Sequence, residues 1–394
     1  MDRVSLGFYC LSMKKQNYIL YACTVFVLCT LYAAQPIQPL FKEEFALNSF
    51  QAAIFTTVIM FPLGIAPILY GYILENWSSR QMLRVSLLLL GILEICFSFS
   101  SSYIVLIGIR AAQGFLIPAA LTSLVSYIST SSTRENIQKA LGNYVAITIM
   151  GGFLGRLFSG FSSEYFGWRP FFFIIGLGLI VSFFALLGVS KDAKAGFVKI
   201  RKKEVVNVLK LKYNFLIYAA VFCVFFVFQA VLNFLPFELK SIDENLGEGK
   251  VGLMYAGYVI GLITALNVTR IIAFFKTESR AMIFGMFIYI IGLQMFNMES
   301  FTVMFGSMFV FCLGMFMVHS IAAGFINKLA QERKSITNGL YLSFYYAGGT
   351  LGSFLPGVFY QHLGWHAFLI FLGFMLLCGA VFLVLLSNVL KGKI

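Results

Sequence analysis

Long apolar runs separated by short polar ones dominate this chain. Searching for stretches of about 20 mainly apolar residues predicts twelve membrane-spanning helices, at 18–40, 50–74, 82–100, 103–128, 137–161, 168–188, 214–238, 250–273, 280–298, 301–328, 337–360 and 366–388. The connections between them are short, as expected of antiparallel neighbours. The longest, 189–213, sits at the midpoint and carries eight Lys or Arg and two acidic residues. It reads as a basic linker between a first bundle, 1–188, and a second, 214–394. Phe197, Ile200, Val205, Val208 and Leu209, interleaved with lysines, place part of it on an anionic lipid surface. Residues 1–34 have the pattern of a signal peptide, with Arg3, Lys14 and Lys15 before an apolar run; so many later spans make that run an uncleaved first helix.

The two bundles share a sequence. Shifted by 197 positions, half of the 394-residue chain, 142–171 aligns without a gap on 339–368. The pairs are Gly142/Gly339, Tyr144/Tyr341, Gly151/Gly348, Gly152/Gly349, Gly155/Gly352, Gly160/Gly357, Gly167/Gly364, Trp168/Trp365 and Phe171/Phe368, and Pro39/Pro236 keeps the register upstream. Internal duplication in a very apolar chain marks secondary transporters, whose site lies between the halves.

Composition agrees with a lipid environment: 60% of residues are hydrophobic and 11% charged, against about 25% charged in soluble proteins. The net charge of +13 is unevenly spread. Of 29 Lys and Arg, Lys42, Arg169, Lys240 and Lys250 fall on one predicted side, Arg110 and Arg156 fall inside spans, and the other 23 fall on the opposite side. The positive-inside rule then puts both termini in the cytoplasm and argues against a nucleic-acid surface, which needs clustered basic residues on a soluble domain. The seven cysteines form no C-x-x-C pair and suit packing rather than a disulfide framework or a metal site. Gly247-Glu248-Gly249-Lys250 is not a phosphate loop, because Glu244 and Val251 stand where Gly and Ser or Thr are required. With no nucleotide site and no catalytic constellation, the expectation is a gradient-driven transporter, not an enzyme, without cofactor or metal.

Polar residues at lipid depth are the candidate site. Gln35-Pro36-Ile37-Gln38-Pro39 breaks the first span and frees backbone carbonyls; Gln35 either lines a cavity or caps the helix. Glu94, in the third span, and Arg110, in the fourth, both lie roughly 9–12 Å from the same end at about 1.5 Å per residue and are expected to pair, either to hold the two spans together or to exchange a proton. Arg156 is mid-helix where its repeat mate is Ser353; this asymmetry suggests a role in binding an anionic group or pairing a carboxylate. Gln113, Gln229, Asn233, Asn267, Asn327, Tyr341, Tyr345 and Tyr346 are further candidates. His319 is the intramembrane group that titrates nearest neutrality when unperturbed. The glycines of the fifth span leave a groove for a neighbouring helix.

Three segments resemble the major facilitator superfamily. Arg110-Ala-Ala-Gln113-Gly114 matches that family's R-x-x-Q-G motif. Gly71-Tyr-Ile-Leu-Glu75-Asn76-Trp77-Ser78-Ser79-Arg80 partly matches its G-x-x-x-D-R-x-G-R-R/K loop, keeping Gly71, a carboxylate at Glu75 and a final basic residue, and departing at Asn76, Ser78 and Ser79. Gly167-Trp168-Arg169-Pro170-Phe171 matches the family's G-W-R-x-x-F box; its Trp reads as an interfacial anchor. The resemblance implies an all-α integral membrane protein, twelve helices in two pseudo-symmetric six-helix bundles, working by alternating access. Gly71, Glu75 and Arg80 would form a conformational latch. The chain looks most like the drug and sugar efflux branch, which implies proton-coupled export of small organic molecules from a bacterial inner membrane by a monomer. The alternative is proton-coupled uptake of an organic anion. Arg156, Arg110, Glu94, Gln35, Gln113, Asn233, His319 and Tyr345 are the expected substrate or coupling residues.

Overall fold

The computed structural model describes residues 3–76, 78–131, 137–188, 202–330 and 334–391. Among these the regular structure is helical: α1 (Arg3–Tyr32), α2 (Gln38–Glu44), α3 (Ser49–Asn76), α4 (Ser79–Phe99), α5 (Tyr103–Ser131), α6 (Ile137–Phe166), α7 (Trp168–Leu187), α8 (Lys202–Lys210), α9 (Lys212–Ile242), α10 (Glu248–Leu253), α11 (Tyr258–Leu266), α12 (Val268–Phe275), α13 (Glu278–Met295), α14 (Phe301–Leu329), α15 (Lys334–Phe354) and α16 (Pro356–Lys391). Eight helices among the described residues are long and apolar enough to cross a membrane.

The burial pattern inverts that of a soluble protein. Ile370, Phe374, Leu377, Val381 and Val384 form an exposed stripe at alternating steps of four and three along α16, the spacing of one helix face. Gln35, Gln38, Glu94, Arg110, Gln113, Arg156 and Asn233 are fully buried. Lipid solvates the first kind of face and cannot solvate the second, so polar groups turn inward to find partners.

Proline and glycine explain where helices break. Pro36 and Pro39 separate α1 from α2, and the Gln35 N–H bonds the Tyr32 carbonyl at 3.1 Å, one residue short of the helical partner. Pro356 ends α15. Gly364, at φ 78°, kinks α16 where the sequence predicts two spans. The predicted span 250–273 falls on one apolar helical run, Glu248–Leu266, which tightens to a 3-10 turn at Met254–Gly257 and breaks at Asn267 before α12. Its Gly252 packs on the Arg156 and Leu157 carbonyls of α6, and the Tyr255 hydroxyl donates to the Leu232 carbonyl at 2.8 Å. Two expectations need correction. Trp168 and Trp365 are buried, not exposed at an interface, and their indole N–H groups donate to Glu44 Oε2 at 2.6 Å and the Phe296 carbonyl at 2.9 Å. In the basic linker, Phe197 and Ile200 lie outside the described residues, while Val208 of α8 is buried in the helical core with Val205 and Leu209 packed against it.

The repeat is visible as packing. Cβ atoms built on Gly151 and Gly155 would meet Val25 and Cys29 of α1, and on Gly348 and Gly352 would meet Phe222 and Phe226 of α9. Every one of those partners is displaced by the same 197 positions. Thus α6 lies on α1 as α15 lies on α9. Gly167 and Gly364, at φ 82°, ψ 166° and φ 78°, ψ −176°, enter the next helical stretch in the same extended positive-φ conformation, which costs about 1–3 kcal/mol for a residue with a Cβ. Helices α1 to α7 pack mainly on one another, as do α9 to α16, and the groups meet along α3–α15 and α6–α10.

Glycine contacts yield a paired prediction. A Cβ at Gly155 would stand 2.7 Å from Cys29 Cα, whereas one at Gly142 meets nothing within 4 Å. Gly155→Ala should destabilise the protein by about 1–3 kcal/mol and Gly142→Ala should not, as read by thermal unfolding in detergent with size-exclusion detection.

Candidate functional site

A cavity of about 680 Å³ lies between the two helix groups. It reaches from the Tyr32 level of α1 toward Gly142, Asn327 and Asn338, at the start of α6, the end of α14 and the start of α15. Its walls are aromatic: Tyr32, Phe225, Phe228, Tyr258, Phe316 and Tyr345 all contribute. Tyr345 stacks on Phe225 with centroids 3.6 Å apart and lies 4.5 Å from the His319 ring. His319 is on the wall with its Nδ1 held 2.9 Å from the Tyr341 hydroxyl.

The opposite end, beside α2, is closed by polar contacts between the groups. Gln38 Nε2 donates to Asn233 Oδ1 at 2.7 Å and to Thr56 Oγ1 at 2.6 Å. Thr57 Oγ1 donates to the Ser353 carbonyl at 3.1 Å, and Thr350 Oγ1 to the Met60 carbonyl at 3.1 Å. Gln35 Nε2 reaches Gln229 Oε1 at 3.5 Å. The Gly249 N–H donates to Glu164 Oε2 at 2.8 Å. All of these except the Gln38–Thr56 bond cross between the groups and are lost if the groups separate.

Arg110 is at the centre of the first group. Nη1 donates to the Thr30 carbonyl at 2.7 Å and to Gln113 Oε1 at 3.0 Å, Nη2 to the Leu31 carbonyl at 3.1 Å and Nε to the Phe55 carbonyl at 3.1 Å. The planar fork thus ties the broken end of α1 to α3 and α5. This corrects the expected pair: Arg110 and Glu94 form no direct ion pair, because the guanidinium is turned onto carbonyls of α1 and α3. The Glu94 carboxyl is fully buried beside Thr30 and Gln113 and stays electrostatically coupled to Arg110.

Arg156 forms a second centre. Its Nε donates to Gln35 Oε1 at 2.7 Å and its Nη1 to the Gly152 carbonyl at 2.8 Å. The guanidinium carbon lies 3.9 Å from the centroid of Tyr32, 4.9 Å from that of Tyr258 and 5.1 Å from that of Tyr255. Two of those rings belong to the second helix group. Nη2 is buried and has no partner.

Of the predicted residues, Arg110, Gln113 and Glu94 fall around the end of α1, Arg156 joins Gln35, Asn233 joins Gln38 in the closed seam, and His319 and Tyr345 line the cavity. Of the proposed latch, Arg80 is half-buried at the start of α4, while the Gly71 and Glu75 side chains lie outside the described residues. Sequence reasoning missed Tyr32, Tyr255 and Tyr258. One signal was available: Tyr32 and Gln229 are repeat mates facing Gly152 and Gly349.

A helical membrane protein with an aromatic cavity between repeated halves is the architecture of a transporter. The family model of the Major Facilitator Superfamily matches residues 20–276. The chain belongs to that superfamily of membrane transporters. It is 25% identical over 367 residues to an uncharacterized transporter of Buchnera aphidicola subsp. Schizaphis graminum (strain Sg), covering 92% of this chain and 87% of the relative. It is 19% identical over 356 residues to the quinolone resistance protein NorA of Staphylococcus aureus (strain COL), covering 89% and 91%. Its fold matches that of a bacterial homolog of the human lysosomal transporter Spinster, in an inward-facing and occupied conformation, with a TM-score of 0.76 at 14% identity, covering 95% of this chain and 97% of that one.

Arg110→Lys should be poorly tolerated, since an ammonium cannot satisfy three carbonyls and Gln113 from one position. Each carbonyl left unpaired costs about 1–3 kcal/mol. The expected outcome is a clear drop in melting temperature and in monodisperse yield, whereas Arg280→Lys, at an exposed position on α13, should melt as the wild type does.

Proposed function

We propose that this protein is a secondary active transporter that exports small organic molecules in exchange for protons by alternating access. The observation that carries this reading is a cavity between two repeated helix groups that is sealed at one end by hydrogen bonds made across them. Rocking one group on the other would break that seam and close the opposite end. In this reading the chain has twelve spans in two six-helix bundles, 1–188 and 214–394, joined by the basic linker 189–213. Both termini are cytoplasmic, the protein works as a monomer in a bacterial inner membrane, and Gly71, Glu75 and Arg80 latch the cytoplasmic side.

Export is supported by similarity to a quinolone resistance protein and by the cavity walls, whose aromatic rings suit a drug-like solute better than a sugar. Glu94 is assigned the proton: it is fully buried and makes no direct ion pair among the described residues, so a fixed charge there would be costly. Arg110 and Gln113 hold the helix break beside it. Arg156, Gln35, His319 and Tyr345 act at the cavity, and Asn233 acts in the seam. The uptake of an organic anion remains a second reading, favoured by the lack of a counter-charge at Arg156.

Everted membrane vesicles with an acid interior and a pH-quenched dye test this directly. A transported compound should collapse the gradient in vesicles containing the protein and not in control vesicles. Glu94→Gln should reduce that proton flux by about tenfold or more, the order of effect of a positioned proton-transfer group, and leave substrate binding in place. No response to sugars, lipophilic cations or organic anions would refute proton-coupled export.

A further inference from the structure

The cavity is well supplied with aromatic surface, and among the described residues none that lines it is Asp or Glu. A site built for organic cations would need carboxylates or free ring faces. Here the ring faces nearest the closed end, Tyr32 and Tyr258, are already occupied by the Arg156 guanidinium. That guanidinium lies directly behind Gly152, which lines the cavity; a Cβ at Gly152 would stand 3.3 Å from Arg156 Nη1. The hydrogen-bond acceptors of Arg156 are both neutral, Gln35 Oε1 and the Gly152 carbonyl. Its Nη2 is buried without an acceptor. A buried cation with neutral partners and one idle donor, beside an aromatic cavity, is costly unless something negative completes it. No carboxylate among the described residues does so: the ion pairs found there join Arg169 to Glu44, Lys240 to Glu248 and Lys328 to Glu278, and none reaches Arg156. Guanidinium is the side chain suited to carboxylate and other oxyanions.

We infer that the cargo is an aromatic molecule bearing one acidic group, its rings packed among Phe225, Phe228, Phe316 and Tyr345 and its oxyanion accepting from Arg156 Nη2. This rests on the reading of the cavity as the substrate site. The Tyr32 and Tyr258 side chains would shift to admit the acid, so recognition couples one ring from each helix group to the bound ligand.

The test uses matched aromatic pairs on the purified full-length protein: 1-naphthoate and its amide, indole-3-acetate and its amide, and a naphthyl quaternary ammonium. Binding is read by ligand-induced thermal shift and by competition. The acids should bind at least about tenfold tighter than their amides, the step expected of a charge-assisted hydrogen bond, and the ammonium should not compete. Arg156→Gln should bind acid and amide equally, and Arg156→Lys should keep a reduced preference for the acid. Equal wild-type affinity for acid and amide, tighter binding of the ammonium, or an acid preference that survives in Arg156→Gln would overturn the inference. Because the wild-type comparison needs no variant, misfolding of Arg156→Gln cannot obscure it. Proteoliposome flux separates this inference from the transport reading. Acids that bind selectively and are not moved would uphold the oxyanion site at Arg156 and count against transport. Amides that bind and move as well as the acids would do the reverse.

Discussion

The break at the end of α1 is the constraint on which the rest of this structure depends. At the end of α1 the Gln35 N–H bonds the Tyr32 carbonyl in place of the Leu31 carbonyl, and a backbone carbonyl left open at lipid depth has no water to turn to. Arg110 caps this end. By donating to Thr30, Leu31, Phe55 and Gln113 together, it joins the end of α1 to α3 and α5 and fixes where the chain re-enters helix at α2. That placement sets Gln35 against Arg156 and Gln38 against Asn233. The closed seam and the head of the cavity therefore both depend on how one buried cation is satisfied.

Duplication supplies the frame and its exceptions supply the site. The contacts of α6 on α1 and of α15 on α9 share one register, down to the residue each glycine meets. At two positions in that register the halves differ in chemistry: Arg156 stands opposite Ser353, and Tyr32 opposite Gln229. In the first half these make a cation enclosed by rings, and in the second a set of small polar groups that closes the seam. A symmetric pair of bundles has acquired an electrostatically asymmetric centre.

Much of this was legible in the sequence. The helices, the breaks at Pro36, Pro39 and Gly364, the repeat and the buried polar residues all follow from spacing and residue type, because lipid imposes a simple rule on both. Residues 250–273 hold one apolar helical run to Leu266, but its 3-10 turn at Met254–Gly257 and its break at Asn267 were not legible, since apolar composition does not reveal local backbone geometry. The Glu94–Arg110 pair failed for a related reason: depth along two helices is countable, but the competition from carbonyls on α1 and α3 is not. The Tyr32, Tyr255 and Tyr258 cage was missed because tyrosines in an apolar chain look alike until two helix groups bring their faces onto one guanidinium.

Reversible cross-linking of the closed seam tests the central claim most directly. Phe50 of α3 and Phe354 of α15 meet across it with ring centroids 4.6 Å apart. Cysteines at these two positions, in a protein whose seven native cysteines have been replaced, would be joined by mild oxidation and assayed in vesicles. Alternating access predicts that the joined protein carries no solute and that reduction restores transport. Transport at the full rate with the seam covalently closed would contradict it.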